Sequence, residues 1–441
     1  MSDTIPYTKI QKSKVIGKAT LKMGLHTSKS MIKRAFLKPE QKQKAKAENS
    51  EKLAEIMMDA LGELKGVSVK IAQQIGLNLT FLPTEYIEKL ENSFNKIPPL
   101  NRAVVRKVIK QEFGFYPNQL FTIFDGEVFA GASLGQVHLA QIYDETVVVK
   151  IQYPAIEKSI KSDMQIVKFM LVRVAKSKEI EHLIGEISDR LFEEIDYIQE
   201  AKNSNFFRDN LNIKDIIIPK VYNEFSTKKV ITSEKIEGVI LRDFLATNPS
   251  QKLKNHYGNL LFQSFFKSLY RLHKIHADPN PGNYLFCADN KLAMIDFGCV
   301  KSIDSQFLKL YSSLHIALIE QKNEEEIIEW YVKLGMIERD TLPKMSAFYK
   351  DIINPLDSLY IEPFIEDIFD FKSHKDFSKR GFEAIFEIQK KQINSIDKLN
   401  QEFIFLDRTL LGLYAIFEKL GAVIDTSYAK DLMRRINDEN I

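Results

Sequence analysis

The sequence predicts an α+β fold in two lobes, a small antiparallel-sheet lobe and then a helical one, with a helical extension ahead of both. Three observations lead there. Apolar residues recur at helical spacing from residue 50 to Phe113. The stretches VFAGASLGQVHLAQI and TVVVKIQYP, residues 128–142 and 146–154, then turn to small and β-branched residues around the polar turn Tyr143-Asp144-Glu145, a β-hairpin pattern. After Gly238 the chain is again overwhelmingly helical.

The elements follow in order. From Lys9 to Lys46 the chain is basic, with Val15, Leu21, Met31 and Leu37 scattered among lysines. Such a tail can lie on an anionic membrane surface, or be a solvated tail or a helix whose lysines simply face water. Residues 50–76 read as a helix through Leu53, Ile56, Met57, Ala60, Leu61 and Leu64, a second helix is expected over Pro83–Asn95, and a third over Asn101–Phe113 after the Pro98-Pro99 break. Residues 156–210 return to helical periodicity, and IIIPKVYNEF and KKVITSEKIEG read as two short strands. The expected organisation is a basic tail (1–49), a helical extension (50–125), a sheet-containing N-lobe (126–237) and a helical C-lobe (238–441), hinged at Ser233 to Gly238.

Composition narrows the classes. The 441 residues allow two or three domains or one two-lobed unit, and 44% hydrophobic with 27% charged residues excludes collagen-like, mucin-like and wholly disordered chains. With 62 basic against 59 acidic residues the net charge is only +3, too balanced for a nucleic-acid coat, so no nucleic-acid partner is expected. Two cysteines, Cys287 and Cys299, are too few for a disulfide scaffold or a four-cysteine zinc site and point to a reduced compartment. The start MSDTIPYTKI has no signal-peptide core, no apolar run spans a membrane, and Glu418 and Lys419 interrupt the apolar passage Leu410–Val423. A cytoplasmic protein, in solution or peripheral to a membrane, is expected.

The strongest chemical pattern is HADPNPGNYLFCADNKLAMIDFG, in which Asp278 and Asn283 are five apart and Asp296-Phe297-Gly298 begins 13 residues later. A lone Asp-Phe-Gly is an ordinary turn. The order Asp278, Asn283, hairpin, apolar strand, Asp296 is that of the catalytic and metal loops of protein kinases, where one carboxylate orients the attacking hydroxyl and an amide and a second carboxylate hold divalent metal. Upstream, Lys150 ends the apolar run Val147-Val148-Val149, where a kinase places its phosphate-neutralising lysine; alone it would read as an edge-strand lysine. Ala130, Gly131, Ala132 and Ser133, with Leu134 and Gly135, occupy the place of a glycine-rich phosphate loop, narrowed by methyl groups. In LFEEIDYIQEAKN, Glu194, Asp196 and Glu200 are carboxylates for the lysine; Asp196 and Glu200, four apart, share a helical face on which a nearby cation would offset their repulsion, or form a solvated acidic face. His276, two before Asp278, reads as a loop buttress, and Cys299 as a small buried filler.

These pieces, with LKGVSVKIAQQIG and FLPTEYIEKLENSFNKIPP before them, resemble the UbiB/AarF-like atypical kinases, the ADCK group, over residues 50 to 425. The resemblance implies a protein-kinase-like two-lobe fold with an N-terminal helical element over the cleft and ATP with Mg2+ bound between the lobes. By the family's KxGQ pattern Lys70 and Gln73 would lie over the nucleotide, although Ala72 replaces its glycine. Lys150 would bind phosphate, Asp278 would be the catalytic-loop aspartate, Asn283 and Asp296 the metal ligands, and Glu194 and Asp196 the family's ExD element. Glu200 is the preferred partner of Lys150, and Glu234, in the hinge, is a further cofactor-binding candidate. The implied activity is a phosphotransferase or ATPase supporting ubiquinone or other isoprenoid-lipid metabolism at a membrane, with lipid and lipid-biosynthesis enzymes as partners. The competing classes are an ATP-sensing regulatory pseudokinase and a small-molecule phosphotransferase like the aminoglycoside kinases, the latter leaving LKGVSVKIAQQ unexplained.

Overall fold

The structure is a computed structural model that describes residues 9–35, 39–64, 71, 100–132, 134–174, 178–374, 376–381, 383–384 and 401–438. Lys70, Gln73, Ser133 and the helix expected over Pro83–Asn95 lie outside them. The chain divides into two compact units, Met1–Ala201 with Val221–Glu234, and Lys202–Lys220 with Lys235–Ile441. The segment Lys202–Lys220 therefore groups with the second unit, although it falls within the span 126–237.

In the first unit, strand alternation builds an antiparallel sheet. Its strands are β1 (Ile123–Phe124), β2 (Ala130–Ala132), β3 (Gly135–Ile142), β4 (Glu145–Gln152) and, after β5 (Ile216–Ile217) of the second unit, β6 (Val230–Glu234). The order is β1-β3-β4-β6, with β2 also pairing β3. The β3–β4 hairpin closes at Tyr143, whose φ of 54° is left-handed. One face, including Ala140, Ile142, Val147, Val149 and Ile151, packs on Val105, Val108 and Ile109 of the helix Arg102–Phe113, which Asn101 caps by accepting from the Ala103 amide.

A second core in this unit joins helices. The basic segment forms the helix Lys9–Ala35, whose Val15, Ala19 and Met23 are buried in one cluster with Leu53, Met57 and Leu61. Those partners lie on the helix Pro39–Leu64, which starts earlier than the helix expected from residue 50 and runs across the expected tail boundary, because neither Pro nor Gly stands between Pro39 and residue 50.

The second unit is mainly helical around one aromatic-rich core. Its short strands include β7 (Lys274–His276), β8 (Tyr284–Phe286), β9 (Leu292–Met294) and β10 (Val300–Ser302); β7 pairs β10, β8 pairs β9, and β5 runs parallel to β9. Two further strands, β11 (Ile368–Asp370) and β12 (Val423–Asp425), pair antiparallel. The apolar passage near the C-terminus is a packed helix, Gln401–Leu420, with Leu410, Leu411, Tyr414 and Phe417 buried. Among the described residues no helix is long and apolar enough to cross a membrane.

Candidate active site

In the first unit the register of the hairpin places Lys150 opposite Val137 and Ile231, on the central strand β4. Its Nζ donates to both carboxylate oxygens of Glu200, at 2.8 and 3.0 Å, and lies 5.0 Å from the centre of the Tyr197 ring. Glu200 is 5% exposed, so its charge is held almost wholly by the lysine and the surrounding protein. Glu200 belongs to the helix Tyr197–Asn210, whereas the preceding helix ends at Glu194. The single helical face expected for Asp196 and Glu200 does not form. Asp196 lies in the break, where its carboxylate accepts the Gln199 amide at 3.0 Å, a capping role that removes it from the face of Glu200. The periodicity of LFEEIDYIQEAKN runs through this break and hides it.

The loop candidates Ala130, Gly131 and Ala132 form β2, with Gly131 opposite Gln136. Gly131 is exposed, and a Cβ there would meet nothing within 4 Å. The stringent glycine is Gly135, where a Cβ would lie 2.4 Å from the Ile151 carbonyl oxygen. Leu134, at the tip, is 3% exposed and packs in the helical core with Tyr153 and Ile156, so it pins the loop. Glu234 ends β6 and is exposed.

In the second unit, Asn283 Nδ2 donates to Asp278 Oδ2 at 3.0 Å and to the Asp278 carbonyl at 3.1 Å. This commits the amide nitrogen and leaves the amide oxygen as the atom available to a cation. The β8–β9 hairpin sets Tyr284 opposite Met294, and the Ile295 amide donates to the Asn283 carbonyl at 3.0 Å, which brings Asn283 beside Asp296. An Asp296 carboxylate oxygen accepts the Gly298 amide at 2.9 Å. His276 donates through Nε2 to the Asp296 carbonyl and meets Phe297 edge-on at 5.4 Å, tying the two loops together as a buttress does.

Three supports were not among the sequence candidates. Asn203 Nδ2 donates to the Phe297 carbonyl at 3.0 Å, so the EAKN element that supplies Glu200 to the first unit supplies Asn203 to the second. The spacing of that element was the available signal. Phe207 packs 5.2 Å from the Phe297 ring. Gly412 on the helix Gln401–Leu420 accommodates Pro279 of the catalytic-type loop, since a Cβ there would lie 2.2 Å from Pro279 Cγ; no local pattern announces that contact.

The donors at Asn283 and Asp296 are oxygens, which suits a hard cation such as Mg2+. Among the described residues no cluster of three or more His, Cys, Asp or Glu side chains could hold a metal alone. Phosphate and water oxygens would complete such a shell, as is usual for Mg2+.

The sequence profile of the ABC1 atypical kinase-like domain matches residues 92–331, more than half of the chain. The probable serine/threonine-protein kinase abkA of Dictyostelium discoideum is 27% identical over 85% of this chain and 69% of its own length. The mitochondrial atypical kinase COQ8 of Schizosaccharomyces pombe is 28% identical over 85% of this chain, which spans 61% of that relative. The solved structure of Rv3197 from Mycobacterium tuberculosis in complex with erythromycin superposes with a TM-score of 0.58 at 24% identity, over 90% of this chain and 98% of that one, a likeness of fold. The chain belongs to the ABC1 atypical kinase-like family, the UbiB/ADCK group whose motifs it carries.

Proposed function

We propose that this protein is an atypical kinase or ATPase that uses ATP with Mg2+. The observation that carries the reading is the paired arrangement Asn283–Asp278 beside Asp296, joined to the Lys150–Glu200 pair by family membership. Lys150, oriented by Glu200, neutralises phosphate oxygens. Asp278 orients an acceptor hydroxyl or water, with Asn283 fixing the direction of its carboxylate. His276 and Asn203 hold the Asp296 loop from behind. Bound at Asn283 and Asp296, Mg2+ would supply positive charge to the phosphates. The glycine-rich-like loop and the segment with Lys70 and Gln73 are assigned to the nucleotide by the family pattern. Turnover is favoured over a purely regulatory role because Asp278, Asn283 and Asp296 are all retained.

The cellular setting proposed is isoprenoid-lipid or ubiquinone metabolism, with the protein peripheral to an anionic membrane. Supporting the membrane part, the helix Lys9–Ala35 turns Leu21, Leu25 and Ile32 outward at 65, 57 and 66% exposure, beside exposed Lys14, Lys18, Lys22 and Lys29.

Mg2+-dependent phosphate release from ATP tests the chemistry. Asp296→Asn is expected to reduce turnover by about 100-fold or more with the unfolding temperature retained; unchanged turnover would remove the metal assignment. Flotation with anionic vesicles tests the surface: Leu21→Glu with Leu25→Glu is expected to abolish binding, and equal flotation would discard this helix as the contact.

A further inference from the structure

Strand β3 begins Gly135-Gln136-Val137-His138, and its inward face reads Gln136, His138, Ala140, Ile142, all buried. Two polar side chains thus occupy the core face where strand alternation calls for apolar ones, Gln136 at 1% and His138 at 0% exposure. Neither is used by the phosphate chemistry above, and burial of such groups is costly unless every polar atom is matched.

They are matched through a one-way relay. The Leu100 amide donates to Gln136 Oε1 at 2.8 Å, Gln136 Nε2 meets His138 Nε2 at 2.7 Å, and His138 Nδ1 meets the Asp125 carbonyl at 3.0 Å. The two ends are backbone groups and cannot exchange roles. Gln136 must therefore present its oxygen to Leu100 and its nitrogen to His138, and His138 must be neutral with its proton on Nδ1. Phe124 stacks on the imidazole at 5.3 Å.

The anchored backbone sits at two entrances. Leu100 precedes Asn101, the cap of the helix Arg102–Phe113, and Asp125 opens the turn that runs through Phe129 into β2. Outside the relay the same segments meet again, with Arg102 against Gly126 and paired with Glu127. The Phe129 amide donates to the Val137 carbonyl at 2.9 Å, and Gly131 pairs with Gln136 itself.

We propose that Gln136 and His138 are positioning residues of the nucleotide loop: neutral His138 sets the direction of the Gln136 amide, and the relay holds the turn Asp125–Phe129 from which β2 emerges. This rests on the reading that this loop serves the nucleotide. Protonation of His138 puts a donor against the Gln136 nitrogen, so the amide must turn over and release Leu100. Burial holds the imidazole below its usual value, partly offset by the Asp125 and Glu127 carbonyls and by the charges of Asp125 and Glu127; Arg102 is the cation on the helix side.

The test compares Gln136→Leu and Gln136→Glu in the full chain, reading amide exchange at Leu100 and at residues 128–135 without nucleotide, and then KM for ATP against pH. In Gln136→Leu, exchange is expected to rise about tenfold at both places, and KM to rise by a similar factor with little change in kcat. Gln136→Glu can keep both bonds only when it and His138 share one further proton, on the carboxyl or on the ring, so its KM should be lowest at acid pH and rise with alkalinity, the reverse of the wild type. Faster exchange at Leu100 with an unaltered loop, or the same pH profile in Gln136→Glu and wild type, would overturn the inference. Should Gln136→Leu not fold, Gln136→Glu decides it. A chain with no ATP turnover would defeat the proposed function alone, since the exchange arm needs no nucleotide.

Discussion

Two sets of buried polar groups, one in each unit, are satisfied in opposite ways. In the first, Gln136, His138, Gln152 and Glu200 are at most 5% exposed, and each is matched to a specific partner: Gln152 Nε2, for instance, donates to the carbonyls of Ile195 and Lys228. In the second, Asp357 and Asp407 lie inside an aromatic core with Tyr311, Tyr331, Tyr349, Tyr360 and Tyr414, and Asp357 Oδ2 and Asp407 Oδ1 have no hydrogen-bond partner among the described residues. Burial raises the Asp357 carboxyl to about 7, against hydrogen bonds from Tyr331 and Tyr349 that lower it. Asp407 is raised by burial and by the charge of Asp357. Polar groups that join backbone segments position the loops around Lys150, whereas the buried acids act as neutral filler whose ionisation the core opposes.

The largest effect should come from breaking a matched pair. Glu200→Leu, which leaves the Lys150 ammonium without this carboxylate, is expected to lower unfolding free energy by about 3 kcal/mol, measured by urea denaturation. Adding Lys150→Met should recover most of that loss; no recovery would mean that Glu200 is held chiefly by other groups.

The second unit should respond in the other direction. Because the folded value of Asp357 lies above the 3.8 of a free carboxyl, its contribution is fully present below that value and is lost as pH rises through about 7. Asp357→Asn keeps an acceptor for Tyr331, so it should raise stability at pH 8 and change little at pH 4. His315, pushed down to about 4 by burial, gives the same unit an acid limb common to both proteins. Equal pH profiles for wild type and variant would show that Asp357 is compensated by groups beyond the tyrosines.

The smallest effect sharpens the contrast. Gln152→Leu strands two carbonyls and is expected to cost about 1 kcal/mol, with faster amide exchange near Ile195 and Lys228 as the local readout; an unchanged exchange pattern there would reduce Gln152 to a packing residue.

Short-range chemistry was readable in advance. Alternation marked the β3–β4 hairpin around Tyr143, and the spacing of Asp278, Asn283 and Asp296 carried the kinase-like order, because both depend on neighbours within one or two elements. The break at Ile195-Asp196 was not readable, since apolar spacing continues through it while Asp196 turns to cap the next helix. Nor was the packing of the helix Lys9–Ala35 on the helix Pro39–Leu64, because a basic composition masks the apolar stripe Val15, Ala19 and Met23 that the first buries against the second.

By itself the sequence determined the family, the two kinds of lobe and the residue types available for phosphate and cation chemistry, because periodicity and motif spacing are properties of the chain. Only the tertiary structure decided which carboxylate meets Lys150, which glycine makes room for Pro279 and which polar side chains of β3 find backbone partners. Those contacts join residues tens to more than a hundred positions apart. Their selection depends on burial and hydrogen-bond direction in three dimensions, which no local pattern encodes.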